Sequence, residues 1–354
     1  MSLREQALRA MSGEETSPRA RAWRIALAAA APIYAAGSAA RSAGFATGIK
    51  RSHPLGRPTV SVGNLTTGGT GKTPVVGHIA RHLVEQGHRP CILLRGYRGG
   101  DEAREHRQRL GDAVRVEPNP DRVAAAQQVL AEDPAITCFI LDDGFQHRRA
   151  RRDLDLVLID ATNPWGYGHL LPRGLMREPK SALRRAHASI ITRADQVEAD
   201  EVDRLDRDIA SITGRPPIAH AEHAWSGLVD HDDKLVALDR LREQQVMGVV
   251  GIGNPAAFVR TLTQHAAEVL HCEQLPDHHA YTRKTLLRLI ELAQAAGADA
   301  VVTTEKDWVK WALLLEDERV VLPILRTTLA VRYRDGEKAL HQLLAERIPL
   351  PVDS

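Results

Sequence analysis

The run Ser61-Val62-Gly63-Asn64-Leu65-Thr66-Thr67-Gly68-Gly69-Thr70-Gly71-Lys72-Thr73-Pro74 has the residue types and the order that holding a nucleoside triphosphate requires. It reads as a short apolar strand, a glycine-rich turn, then Lys-Thr opening a helix. Glycines let the backbone approach phosphate closely, and successive N–H groups form an anion cradle. A helix N-terminus adds unpaired donors and partial positive charge. Thr66, Thr67, Gly68, Gly69, Thr70 and Gly71 would wrap the phosphates. Lys72 would reach the β/γ-phosphates and Thr73 would hold Mg²⁺. Thr66 stands where the general pattern has Gly. The alternative is a flexible Gly/Thr turn with no ligand.

Other residues have the chemistry for phosphoryl transfer, which needs phosphate clamps, Mg²⁺ and a carboxylate near the attacking hydroxyl. Asp142-Asp143 end the apolar run Phe139-Ile140-Leu141 and suit a second metal-binding position. Asp101-Glu102 come after a glycine-rich loop; a carboxylate there takes a proton, or the pair is simply solvated. Asp277-His278-His279 offer an imidazole to polarise a base, orient an acceptor or bind metal, or are merely exposed. Thr192-Arg193-Ala194-Asp195 resembles the guanine-reading tetrapeptide of GTPases, with Arg in place of Lys, so GTP stays open. Arg148, Arg149, Arg151 and Arg152, then Arg173, Arg177, Lys180, Arg184 and Arg185, form basic groups beside the loop 166–174. They read as a solvated face or as clamps for a phosphorylated amphiphile. Glu102, Arg149, Arg173 and Arg177 are the candidates for holding the acceptor.

To position these groups the chain must alternate strands with helices. Strands are expected at 91–94, 137–141, 154–159 and 188–192, with helices over Val75–Gln86 and Val123–Leu130. Residues 95–102 read as a loop. This pattern predicts an α/β fold with a mostly parallel sheet, a P-loop NTPase core, and functional residues at strand carboxyl ends. From Pro216-Pro217 a second, smaller α/β unit is expected, with a strand at 245–251, helices over Pro255–Ala267 and Leu286–Ala296, and a strand at 300–304. The expected division is a polar tail 1–22, a helix 23–48, a kinase domain 49–215, a smaller domain 216–325, and a segment 326–354 that packs on the first domain or extends the second.

With 354 residues the chain can bury a large core, and its net charge of +2 and 4% aromatic content give no reason to expect nucleic acid. The three cysteines, Cys91, Cys138 and Cys272, are far apart, so they suggest buried free thiols and no zinc site. Residues 1–22 carry both charge signs and do not form a secretory signal. The Ala-rich stretch from Trp23 to Phe45 is broken by Pro32 and Arg41, which makes it a poor membrane span. It suits either an interfacial helix, with Trp23, Tyr34 and Phe45 at headgroup level, or a helix packed on the domain.

Taken together these segments resemble the tetraacyldisaccharide 4'-kinases of lipid A biosynthesis. The matching stretches are SVGNLTTGGTGKTPVV (61–76), RGYRG (95–99), PDRVAAA (120–126), LDDGFQHRR (141–149), RDLDLVLID (152–160), LLPRGLMREP (170–179), GIGNP (251–255), PDHHAYT (276–282) and TTEKDWVK (303–310). Thr66 is usual in that family. The resemblance implies transfer of the ATP γ-phosphate to the 4'-hydroxyl of a membrane-embedded acylated disaccharide 1-phosphate, giving lipid IVA, with ATP and Mg²⁺. It implies attachment of helix 23–48 to the cytoplasmic face of the inner membrane, aided by Arg41, Lys50 and Arg51, and no obligate protein partner. It assigns Lys72 to phosphate, and Thr73, Asp142 and Asp143 to the metal. It makes Asp101, of Gly100-Asp101-Glu102-Ala103, the catalytic base, with His278 as its partner. Ala103 stands where the family has Pro, and the insert before this segment is nearly absent, so Asp112 is the rival base. Two other readings compete: a nucleotide-driven switch or metallochaperone on a related P-loop fold, and a kinase for a soluble metabolite.

Overall fold

A computed structural model describes residues 8–9, 11–13, 15–68, 70–96, 101–276, 279–315 and 322–350, and for Asp101 the backbone alone. Gly69, Asp277 and His278 lie outside the described residues. The chain forms two compact units. The first holds Met1–Gly96, Leu110–Glu222 and Tyr333–Ser354; the second holds Tyr97–Arg109 and His223–Arg332.

In the first unit the strands are β1 (Thr59–Asn64), β2 (Pro90–Leu94), β3 (Arg115–Pro118), β4 (Cys138–Asp142), β5 (Leu154–Asp160), β6 (Ala188–Thr192) and the first residues of β7 (Ala219–Asp230). They lie in the order β3-β2-β4-β1-β5-β6-β7, with every pairing parallel. β1, β2, β4, β5 and β6 are buried at every residue, as a sheet covered on both faces demands. Cys91, Leu93, Phe139 and Leu141 pack on Val123, Ala126 and Val129 of one helix, Arg122–Glu132. Val157, Ile159 and Ile191 pack on Val202, Leu205 and Ile209 of another, Ala199–Thr213. The strand order turns at β1, with β4 on one side and β5 on the other. The loop after β1 therefore opens at the kind of crevice where α/β sheets bind ligands.

The first long helix, α1, runs from Pro18 to Ala46, starts earlier than the sequence suggests, and continues through Pro32. Ser17 caps it by accepting from the Ala20 amide, and Pro18 sits in the first turn, where its missing N–H costs nothing. The phosphate loop runs into α2, Lys72–Glu85, whose Val75, Val76, Ile79, Ala80 and Leu83 are buried. The helices already named on the sheet are α4 (Arg122–Glu132) and α5 (Ala199–Thr213).

The second unit has strands β9 (Gln245–Val250), β10 (Glu268–Gln274), β11 (Ala300–Thr304) and β12 (Ile324–Asp335), in the order β10-β9-β11-β12, with β12 next to β7 and the short antiparallel β8 (Leu235–Val236) paired to β7. Met247, Val249, Val301 and Ile324 face helices α7 (Arg283–Ala295) and α8 (Glu305–Leu315); Val246, Val250, Ala300 and Val302 face helix α6 (Pro255–His265). The chain passes between units at 222/223, within β7. It returns at 332/333 within β12, so the C-terminal segment first extends the second unit and then joins the first. Residues 101–110 form a helix, α3, so the loop expected over 95–102 gives way to helix at Asp101. Asp101 and Glu102 open its positive end, and Arg107 and Arg109 close its negative end.

Candidate active site

The phosphate loop leaves β1 through Gly63, where a Cβ would lie 2.6 Å from Cβ of Phe145. Only glycine allows the strand and the loop after β4 to approach so closely. At the other end Gly71 caps α2 at φ +76, a left-handed conformation that favours glycine. Between them the loop is tied on three sides. Thr67 donates its amide to the Leu175 carbonyl at 2.8 Å, and the Arg177 amide donates to the Leu65 carbonyl at 2.7 Å. Asn64 donates through Nδ2 to Thr70 Oγ1 at 2.7 Å, and Thr192 Oγ1 donates to the Thr70 carbonyl at 3.0 Å. The 170–179 segment, singled out in the sequence for its arginines, is thus also the wall that fixes the loop.

Lys72 Nζ lies 3.6 Å from Asp143 Oδ1. Arg177 grips the same carboxylate with both ends of its guanidinium, at 2.7 and 2.8 Å, and reaches Asn64 Oδ1. Burial opposes charge on Asp143, but the Arg177 hydrogen bonds and the nearby Lys72 charge hold its carboxyl well below the usual range. Its backbone is left-handed, at φ +55, an unusual state for a residue other than glycine. Asp142, beside it, is buried and pairs in register with Val62 of β1. The unit thus gathers Lys72, Asp142, Asp143 and Arg177 at the carboxyl ends of β1 and β4.

The remaining predicted residues of this unit lie elsewhere. Arg149 is exposed and pairs with Asp121, the cap of α4, at 2.6 Å. Arg193 pairs with Asp160 at the end of β5, and Thr192 serves the phosphate loop, so two residues of the GTPase-like tetrapeptide have structural work. Asp112 is exposed in a short turn. Arg173 and Lys180 line a groove of about 650 Å³ together with Ala28, Ala31, Pro32 and Ala35 of α1 and with Leu170 and Met176. Tyr34 Oη, Arg41 and Ser42 of α1 bond to Arg177, Gln146 and Arg148, so the helix is docked on the loops that hold the phosphate site.

In the second unit one helix, α8, organises two further pieces. Glu305 accepts from Arg109 Nε of α3 at 2.8 Å, and Arg104 donates to the Val309 carbonyl at 3.3 Å. Glu105 is drawn to the same Arg109, while burial and Glu305 push its carboxyl pKa up. Asp307 is fully buried and accepts from the Gly251 amide, Thr304 Oγ1 and Tyr281 Oη at 2.9, 2.8 and 3.1 Å. Lys310 Nζ donates to the His279 carbonyl at 3.3 Å, and the His279 ring stands edge-on to Tyr281. The TTEKDWVK segment therefore anchors both α3, which begins at Asp101, and residues His279 and Tyr281. Sequence reading gives 305–307 no role, since apart from Thr304 the partners of Glu305 and Asp307 lie 26 to 196 residues away.

A model of the tetraacyldisaccharide-1-P 4'-kinase family, LpxK, matches residues 23–349. This chain belongs to that family. A tetraacyldisaccharide 4'-kinase of Anaeromyxobacter sp. (strain K) is 40% identical over 80% of each chain. One from Geobacter sulfurreducens is 34% identical over 94% of this chain and 97% of its own. The crystal structure of LpxK from Aquifex aeolicus, described as in complex with ATP, has a TM-score of 0.72, 26% identity, and covers 92% of this chain and 99% of its own. The family's P-loop NTPase core and second α/β unit are the fold seen here, and the chain is a kinase.

The donor set at the phosphate loop suits Mg²⁺. Thr73 offers a hydroxyl at the start of α2, and Asp142 and Asp143 offer carboxylates within the same cluster. All are hard oxygen ligands, and one or two carboxylates with substrate phosphates are what Mg²⁺ takes from a protein.

Proposed function

We infer that this protein transfers the γ-phosphoryl group of ATP to the 4'-hydroxyl of a tetraacyldisaccharide 1-phosphate, giving lipid IVA in lipid A biosynthesis. Family membership supports the reaction. The observation that carries the acceptor class is the groove beside α1: a lining of mostly apolar residues with Arg173 and Lys180 among them suits an acylated, phosphorylated ligand. Neither the metabolite-kinase reading nor the switch reading accounts for such a groove.

Lys72 and the loop amides draw charge from the β/γ-phosphates and hold them in line for attack. Arg177 keeps Asp143 ionised and fixed through its two hydrogen bonds, so the carboxylate is oriented before nucleotide arrives. Thr73, Asp142 and Asp143 would hold Mg²⁺, which would neutralise charge on the phosphates. Asp101 accepts the proton of the attacking hydroxyl, and His278 orients that carboxylate. Glu305 and Asp307 support this pairing by holding α3, through Arg109, and Tyr281, three residues after His278 in sequence, on one helix. Glu102 and Arg149 remain candidates for acceptor contact. We also propose that α1, which displays Trp23, Ile25 and Ile33 to solvent, rests on the cytoplasmic face of the inner membrane. No described helix is long and apolar enough to cross a membrane.

Purified protein incubated with γ-labelled ATP, Mg²⁺ and the acceptor in mixed micelles should give labelled lipid, and Lys72→Ala should lower the rate by roughly 10²–10³. Label released only as inorganic phosphate would refute the reading.

A further inference from the structure

Away from the phosphate site, the first unit brings together side chains that no part of the kinase reaction uses. His78 Nε2 of α2 lies 3.1 Å from His341 Nε2 of the C-terminal helix α9 (Glu337–Arg347) and 3.6 Å from a Glu337 carboxylate oxygen. The three ligand atoms all lie within 4.8 Å of one another. We propose that His78, His341 and Glu337 bind a Zn²⁺ ion that joins the C-terminal helix to the helix leaving the phosphate loop.

The spacing is the first argument. With Zn–N bonds of about 2.0–2.1 Å, neighbouring corners of a tetrahedron lie roughly 3.3–3.4 Å apart. The His78–His341 and His78–Glu337 separations bracket that edge. Two imidazoles and one carboxylate form a donor set that Zn²⁺ takes when its fourth position holds water. The helices supply the set economically. Glu337 and His341 are four residues apart, and so share a face of α9.

The surroundings hold the ligands in place. His82, one turn beyond His78, stacks on the His341 ring at 3.6 Å between centroids and 10° between planes. Tyr333 meets His78 edge-on at 4.9 Å, and its buried hydroxyl has no hydrogen-bond partner among the described residues. The site is reachable from solvent, since the Glu337 side chain is 48% exposed. Ordinary pairing of the two rings through one N–H···N bond would also give the 3.1 Å contact, so the test must separate the two.

Untagged full-length protein, washed with chelator, is titrated with Zn²⁺ against a chromophoric chelator. One equivalent should bind, and His78→Gln, His341→Gln and Glu337→Gln should each weaken it at least about tenfold. Glu337→Gln replaces an exposed side chain and leaves the core untouched, so it reports binding even where a histidine variant misfolds. Far-UV circular dichroism checks the fold of each, and Co²⁺ should give the intense visible absorption of a four-coordinate site in the wild type and lose it in the variants. Equal Zn²⁺ affinity in wild type and all three variants, or no bound equivalent in the wild type, would overturn the proposal and leave a hydrogen-bonded histidine pair only.

Discussion

At the scale of single residues, the base is the assignment most in need of a test. Asp101 opens α3, and α3 is held by Arg109 on Glu305, whereas Asp112 sits exposed in a separate short turn. Asp101→Ala should therefore lower kcat by about 10²–10⁴ and leave the Kd for ATP nearly unchanged, while Asp112→Ala should do neither. Steady-state kinetics with nucleotide binding by calorimetry checks this, and the reverse pattern would move the base to Asp112. A second residue sets a pH dependence. Burial, then Arg122, Arg152 and Arg41, push His147 down to about 4 against the opposing pull of Asp121. A histidine with a depressed folded pKa stays neutral while its unfolded counterpart takes a proton near about 6.5. Stability should thus fall as pH drops from about 6.5 to about 4, and His147→Gln should flatten that fall in thermal melts. The phosphate-loop residues are legible in the sequence because they are contiguous, and backbone amides need only glycine and a helix start to form the cradle. Arg177 is legible as a cation but not as the clamp on Asp143, since 34 residues separate them.

At the scale of elements, strands buried on both faces show in the sequence as apolar runs, and β6 and β11 match the expected ranges. α3 does not show, because DEAREHRQRL comes after a glycine-rich run and has almost no apolar stripe. Its place is set by ion pairing to α8 rather than by a hydrophobic face. Helix α5 is absent from the expected elements although Val202, Leu205 and Ile209 recur at helical spacing. The segment at 305–307 shows what an element can do at a distance. Asp307→Ala would strand the Gly251 amide and the Thr304 and Tyr281 hydroxyls inside the second unit. That should cost about 2–4 kcal/mol in urea unfolding and lower kcat far more than it raises the KM for ATP. Unchanged stability would show that those donors find other partners.

At the scale of the whole molecule, family membership, the phosphate loop and the groove beside α1 converge on one reaction. Composition points away from nucleic acid but is silent on lipid, because the apolar residues of α1 are mostly alanine and register only once the helix is folded beside the 168–180 segment. The central claim is where the phosphate goes. The most direct measurement is ³¹P–¹H correlation NMR of the product made from ATP and tetraacyldisaccharide 1-phosphate by the purified protein. A new phosphomonoester coupled to the proton on the 4'-carbon, formed in equal amount to ADP and absent with Lys72→Ala, is the predicted result. A phosphate on any other position, or ADP formed with no new lipid phosphate, would contradict it.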